Sequence, residues 1–213
     1  MSLPVTIENG FAEVDAGSWL VGRGQPAAFF GSAVRRRRKG FWLPDRAALD
    51  LVETTGRTLC ADAARPFLTH IPCATPVAAV SRKVLVAPAG ARTGARTVKA
   101  IPLSARGAIG TTAFGTDFVV MATVSRTARV SVADGDTLSV RLESVVAWTG
   151  NPPTGFVRKL GVWDVLLPRT PRGLMLHFHG PCLVWVEGSA ERGAWNRCRG
   201  TANGRWGGRT YGV

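Results

Sequence analysis

Phe118-Val119-Val120-Met121-Ala122-Thr123-Val124, Ala128-Arg129-Val130-Ser131-Val132, Thr137-Leu138-Ser139-Val140 and Ser144-Val145-Val146-Ala147-Trp148 follow one another with only short polar breaks, among them Asp134-Gly135-Asp136. Each run is short and β-branched or alternating, and each is closed by turn chemistry, the signature of strands rather than of a sustained 3.6-residue period. Working outward, 161–167 and 174–178 read the same way, bounded by Gly150-Asn151-Pro152-Pro153 and Pro171-Arg172-Gly173. Proline and glycine in such clusters stop a strand and reverse the chain. Short strands at this spacing predict an all-β sandwich or barrel. One helix is the most the sequence offers, over 45–54, with Asp45 as N-cap and Gly56 just past its end. Its apolar positions suit a strand equally well.

The chain has 213 residues, enough to bury about 70% of its unfolded surface. Hydrophobic residues make up 46% but fall in short runs, with nothing near the roughly 18 consecutive apolar residues of a spanning helix. No integral membrane helix is therefore expected. Glu8, Glu13 and Asp15 precede the first arginine, Arg23, which is the reverse of a secretory or mitochondrial leader. The four cysteines, Cys60, Cys73, Cys182 and Cys198, form no Cys-x-x-Cys pair and are expected to be buried free thiols in a reducing compartment.

Charge sets this sequence apart. Lysine and arginine number 27 against 14 acids, a formal +13. Between Asp62 and Asp117 there is no carboxylate, while Arg65, Arg82, Lys83, Arg92, Arg96, Lys99 and Arg106 all occur. Arg35, Arg36, Arg37, Arg38 and Lys39 form a second block, and the tail supplies Arg192, Arg197, Arg199, Arg205 and Arg209 amid Trp195, Trp206, Tyr211 and many glycines. Guanidinium groups fit phosphate oxygens two at a time, and aromatic rings stack on unpaired bases. The tail, 191–213, cannot bury a core of its own and is expected to be held by a partner or a neighbouring subunit.

The region 115–189 resembles the altered-inheritance-of-mitochondria 24 family, whose fold is similar to a doubled trp RNA-binding attenuation protein. The resemblance is carried by Gly115-Thr116-Asp117-Phe118-Val119-Val120, then 129–132, the Asp134-Gly135-Asp136 turn, Leu138-Ser139-Val140 and Ser144-Val145-Val146-Ala147-Trp148. Phe178-His179-Gly180-Pro181-Cys182-Leu183-Val184-Trp185-Val186 resembles the family's closing Gly-Pro-Gly strand, with Cys182 in place of the last glycine. The resemblance implies a β-sandwich or double-stranded β-helix of two pseudo-repeats, about 1–112 and 113–190, followed by the basic tail. It also implies a tendency to self-associate, and it supplies no catalytic residue.

Chemical sites are sparse. His177 and His179 would face one side of a strand, as a metal centre in a β-barrel requires, but no acid lies close enough to complete the set. Cysteine spacing is too wide for zinc pairs, and nucleophile elbow, phosphate loop and dinucleotide fingerprint are all missing. No cofactor and no catalysis are therefore expected. The expected function is structural: a component of a large ribonucleoprotein, most directly a mitochondrial ribosomal protein in the matrix, contacting rRNA through the three basic segments named above. Trp148, Trp163 and Trp185, lying inside strands, are expected in the core rather than at RNA. The competing expectation is a homo-oligomeric interaction or membrane-associated module of the same family in the bacterial cytoplasm. A metal-dependent, cupin-like enzyme is the third.

Overall fold

The computed structural model describes residues 5–22, 28–37, 49–90, 92–95, 111–115, 117–157 and 174–188. In chain order the strands are β1 (Val5–Glu8), β2 (Phe11–Val14), β3 (Gly17–Val21), β4 (Ala28–Phe29), β5 (Ala33–Arg37), β6 (Asp50–Thr54), β7 (Thr58–Cys60), β8 (Phe67–Pro72), β9 (Val77–Val80) and β10 (Val84–Pro88). They continue as β11 (Arg92–Ala95), β12 (Thr111–Gly115), β13 (Phe118–Thr123), β14 (Thr127–Val132), β15 (Thr137–Arg141), β16 (Val145–Thr149), β17 (Thr154–Val157), β18 (Leu174–His179) and β19 (Cys182–Glu187). Single 3-10 turns, Ser81–Lys83 and Leu142–Ser144, precede β10 and β16. The fold is all-β, and every pairing between these strands is antiparallel.

Four sheets result, ordered β1-β2-β7-β4, β5-β6-β3-β10-β13-β8, β11-β12-β9-β16-β19-β14 and β15-β18-β17. The third order is the second with six added to every strand number. The first sheet contains the same order six lower, as β4-β7-β2, and the fourth carries its opening six higher, as β17-β18-β15. Equivalent strands of the two large sheets begin at Gly17 and Val77, Ala33 and Arg92, Asp50 and Thr111, Phe67 and Thr127, Val84 and Val145, and Phe118 and Cys182, 59 to 64 residues apart. A unit of six strands therefore recurs through these sheets.

Three apolar clusters lie between successive sheets. Ala12, Val14 and Cys60 of the first sheet meet Val21, Val52, Leu85 and Val120 of the second. Leu20, Val119 and Met121 of the second meet Ala79, Val146 and Ala147 of the third. Val80, Trp148 and Val184 of the third meet Val140, Leu176 and Phe178 of the fourth. Alternate residues of β13 therefore enter different clusters, which is why its six residues are all buried and why its sequence is almost continuously apolar. Trp148 and Trp185 are core, as expected, and Trp163 lies outside the described residues.

The helix expected over 45–54 is corrected for the part described: 50–54 is strand β6. Asp50, Val52 and Thr54 are buried while Leu51 and Glu53 are half-buried, a period of two that pairs on one side with β3 and on the other with β5. Sheet partners on both edges outweigh the local capping signal. The strands expected at 117–124, 128–132, 137–140, 144–148 and 174–178 form within a residue or two of those bounds. The one at 161–167 lies outside the described residues.

Candidate nucleic-acid interface

The predicted phosphate contacts separate into three groups once placed on the fold. Arg35, Arg36 and Arg37 sit on β5, at one end of the second sheet's strand order, and Arg92 opens β11, at the matching end of the third. These strands are equivalents in the six-strand period, so two basic segments that are far apart in sequence occupy matching places. Arg35 is not free: its Nε donates to Asp50 Oδ2 at 2.6 Å, and Nη2 reaches the same oxygen. Arg82 is exposed on the 3-10 turn, and its carbonyl accepts Nη1 of Arg65, which also pairs with Asp62 at 3.3 Å. Arg38, Lys39, Arg96, Lys99, Arg192, Trp195, Arg197, Arg199, Arg205, Trp206 and Arg209 lie outside the described residues.

Lys83 is a correction. It is 3% exposed, and its Nζ lies 2.6 Å from Glu187 Oε1 while donating to the carbonyls of Glu143 and Val145 at 2.7 Å each. Glu187 Oε2 in turn accepts the Val124 amide at 2.9 Å. All three ammonium protons and both carboxylate oxygens are thus engaged inside the protein, leaving nothing for a phosphate. Burial pushes the Lys83 pKa below its ordinary value despite the stabilising carboxylate beside it. Lys83 thus ties its 3-10 turn to β19 through Glu187 and, through the Glu143 carbonyl, to the equivalent turn of the next repeat.

Reading the charge in blocks overlooked isolated cations. Arg126, Arg129 and Arg141 are exposed and make no ion pair among the described residues. Arg57 pairs with Glu13 at 2.9 Å, and its guanidinium carbon stands 5.1 Å from the ring centre of Phe30. No charge run marks these positions, so only the fold reveals them.

The described residues contain eleven Arg and Lys against eleven Asp and Glu. The entire formal +13 therefore falls in the rest of the sequence, sixteen cations against three acids. Three of those stretches join the directly paired strands β5 and β6, β11 and β12, and β17 and β18, which are one another's equivalents in the repeat. They carry net +2 over 38–49, +3 over 96–110 and +3 over 158–173, and 189–213 adds +4.

His177 and His179 do share a face of β18, where Ser139 Oγ lies 2.7 Å from His177 Nδ1 and Thr137 Oγ1 lies 3.1 Å from His179 Nδ1. Among the described residues no three His, Cys, Asp or Glu side chains gather as a metal site, and no helix is long and apolar enough to cross a membrane. Cys60, Cys73 and Cys182 are free and buried. Burial pushes the Cys60 thiol up to about 12, and burial together with the Asp117 charge pushes Cys73 up to about 11, so neither is a nucleophile near neutrality. Cys198 lies outside the described residues.

His70 gives a pH prediction. Its ring stacks on Phe118 at 5.0 Å between centres, and its Nε2 is buried without a partner. Burial lowers its pKa from 6.5. A lowered folded-state pKa means that the unfolded chain binds the proton more readily, so this contribution is intact above 6.5 and is lost as pH falls from there through the folded value. Thermal melts at about pH 7.5 and about pH 5 should show a smaller drop for His70→Phe than for the parent. Equal drops in both proteins would contradict the assignment.

These features define an all-β scaffold with an electroneutral framework and a cationic surplus in its connections. No protein-family profile matches the chain, and no curated protein matches it. Among solved structures it is similar to the crystal structure of protein SPYM3_0169 from Streptococcus pyogenes, a structural-genomics target. That likeness has a TM-score of 0.66 at 11% identity and covers 86% of this chain and 92% of the other. At that identity the likeness speaks for the fold alone.

Proposed function

We propose that this protein is a non-enzymatic RNA-binding scaffold, a structural component of a large ribonucleoprotein. The observation that carries this reading is the uneven charge: eleven cations balance eleven acids over the described residues, while the segments between them and 189–213 together hold the whole +13. Evenly scattered arginine, as base composition alone would give, would not leave the described residues balanced. Each phosphate neutralised by Arg or Lys releases counterions, which gives affinity and salt dependence without sequence readout. A mitochondrial ribosome is the particular assembly suggested by the resemblance of 115–189 to the altered-inheritance-of-mitochondria 24 family.

The test is a titration of the intact chain with RNA across about 50 to 200 mM salt. A protein gripping 6 to 10 phosphates loses roughly 10³- to 10⁵-fold in affinity over that range. Salt-independent binding, or none at low salt, overturns the proposal. A single homo-oligomer indifferent to RNA would instead favour the self-associating interaction module.

A further inference from the structure

Resting on this RNA reading, we propose that Phe30, with Phe29 beside it and Arg57 over its ring, is a stacking platform for unpaired bases of single-stranded RNA. Three apolar side chains are left in solvent along one short stretch: Phe29 at 43%, Phe30 at 52% and Val34 at 53% exposed. Exposure of a phenylalanine forgoes apolar burial, and here the backbone beneath the rings is clamped. The Phe30 amide donates to the Arg57 carbonyl at 2.8 Å, the Ser32 amide to Thr55 Oγ1 at 3.0 Å, and the Thr55 amide back to the Ser32 carbonyl at 3.1 Å. Two glycines make this clamp possible. Gly31 has φ +97, and a Cβ on Gly56 would sit 1.8 Å from the Phe30 carbonyl oxygen.

The clamp thus presents a ring rigidly outward, already paired with a cation. A guanidinium over an aromatic face is the combination that holds a base and its phosphate together, the ring by stacking and the cation by charge. Arg57 remains 59% exposed at its side chain while paired with Glu13, so its outer edge faces solvent. Charge complementarity extends along the chain, because β5 begins three residues after Phe30 and carries Arg36 and Arg37 after Arg35, which is itself paired with Asp50. Duplex RNA, with its bases stacked inside, offers no partner to such a ring.

The experiment compares Phe30→Ala and Phe30→Leu with the parent on three ligands: a single-stranded uridine-rich RNA, a duplex RNA of equal length, and heparin, a polyanion without bases. Both variants should keep the parent's melting temperature to within a few degrees, as exposed positions do. Both should lose about 5- to 150-fold in affinity for the single strand, the equivalent of roughly 1 to 3 kcal/mol for one stacked base. Heparin and duplex binding should stay within about twofold, since phosphate-type contacts are untouched. Unchanged single-strand affinity, an equal loss on heparin, or full rescue by leucine overturns the platform and leaves the charge reading standing. A parent that binds neither RNA nor heparin overturns both.

Discussion

Replacing Lys83 by methionine is expected to cost about 3 to 5 kcal/mol of folding stability, the range found when one partner of a buried ion pair is removed. Methionine fills much of the space, so the loss is electrostatic. Glu187 is left 7% exposed with a charge answered only by the Val124 amide, and the carbonyls of Glu143 and Val145 lose their shared donor. A domain of this kind has about 5 to 15 kcal/mol in total, so the variant should sit near the edge of folding at ordinary temperatures. Pairing it with Glu187→Gln should recover part of the loss, because a neutral amide oxygen can still accept from Val124 while the stranded charge is gone. Urea denaturation of the parent, the single variant and the double variant checks both statements. A single-variant loss below about 1 kcal/mol would mean that Lys83 reaches solvent.

The second large effect concerns the C-terminal segment. Ending the chain at Ala190 removes Arg192, Arg197, Arg199, Arg205 and Arg209 along with Glu191. If those five cations meet phosphate, the slope of log affinity against log salt should flatten by about 3.5 to 4.5 units at roughly 0.7 to 0.9 per contact. Affinity at about 50 mM salt should drop by orders of magnitude accordingly. Melting of the truncated chain should hold, since the Gly- and Arg-rich segment 191–213 has too few apolar side chains to build a core. An unchanged slope would show that this segment does not touch the nucleic acid and would restrict the interface to the strand connections.

The residues that announced themselves in the sequence did so through turn chemistry. Asp134-Gly135 marks its turn by a glycine at φ +81, and the runs on either side become β14 and β15 because β-branched residues alternate there. The six-strand period was not legible, since equivalent strands share pairing partners rather than side chains. Val77-Ala78-Ala79-Val80 and Thr137-Leu138-Ser139-Val140 hold matching places with only Val80 and Val140 in common. Lys83 was misread. A block count of charge weighs it equally with Arg82, although the apolar run Val84-Leu85-Val86-Ala87 directly after it hints at burial.

Phe30 carries no sequence signal as a stacking residue, unlike Trp195 and Trp206, which stand among arginines. Nothing local in Ala28-Phe29-Phe30-Gly31-Ser32 says that these rings stay in solvent. That depends on Gly56, whose missing side chain lets a turn from another part of the chain close underneath. The neutrality of the framework is likewise invisible in the overall +13. It emerges only when the strands are known, because acids such as Asp50 and Glu187 are spent on cations within the fold.

RNA affinity is proposed to reside in the connections between paired strands and in 189–213 rather than on the exposed framework arginines. Two triple variants decide it: Arg96, Lys99 and Arg106 to glutamine in one, and the exposed framework residues Arg126, Arg129 and Arg141 to glutamine in the other. Their RNA affinities are measured across the same salt series. The first is expected to lower the salt slope by about 2 units and the second by under about 1. The reverse order, or equal slopes in both variants and the parent, would contradict it.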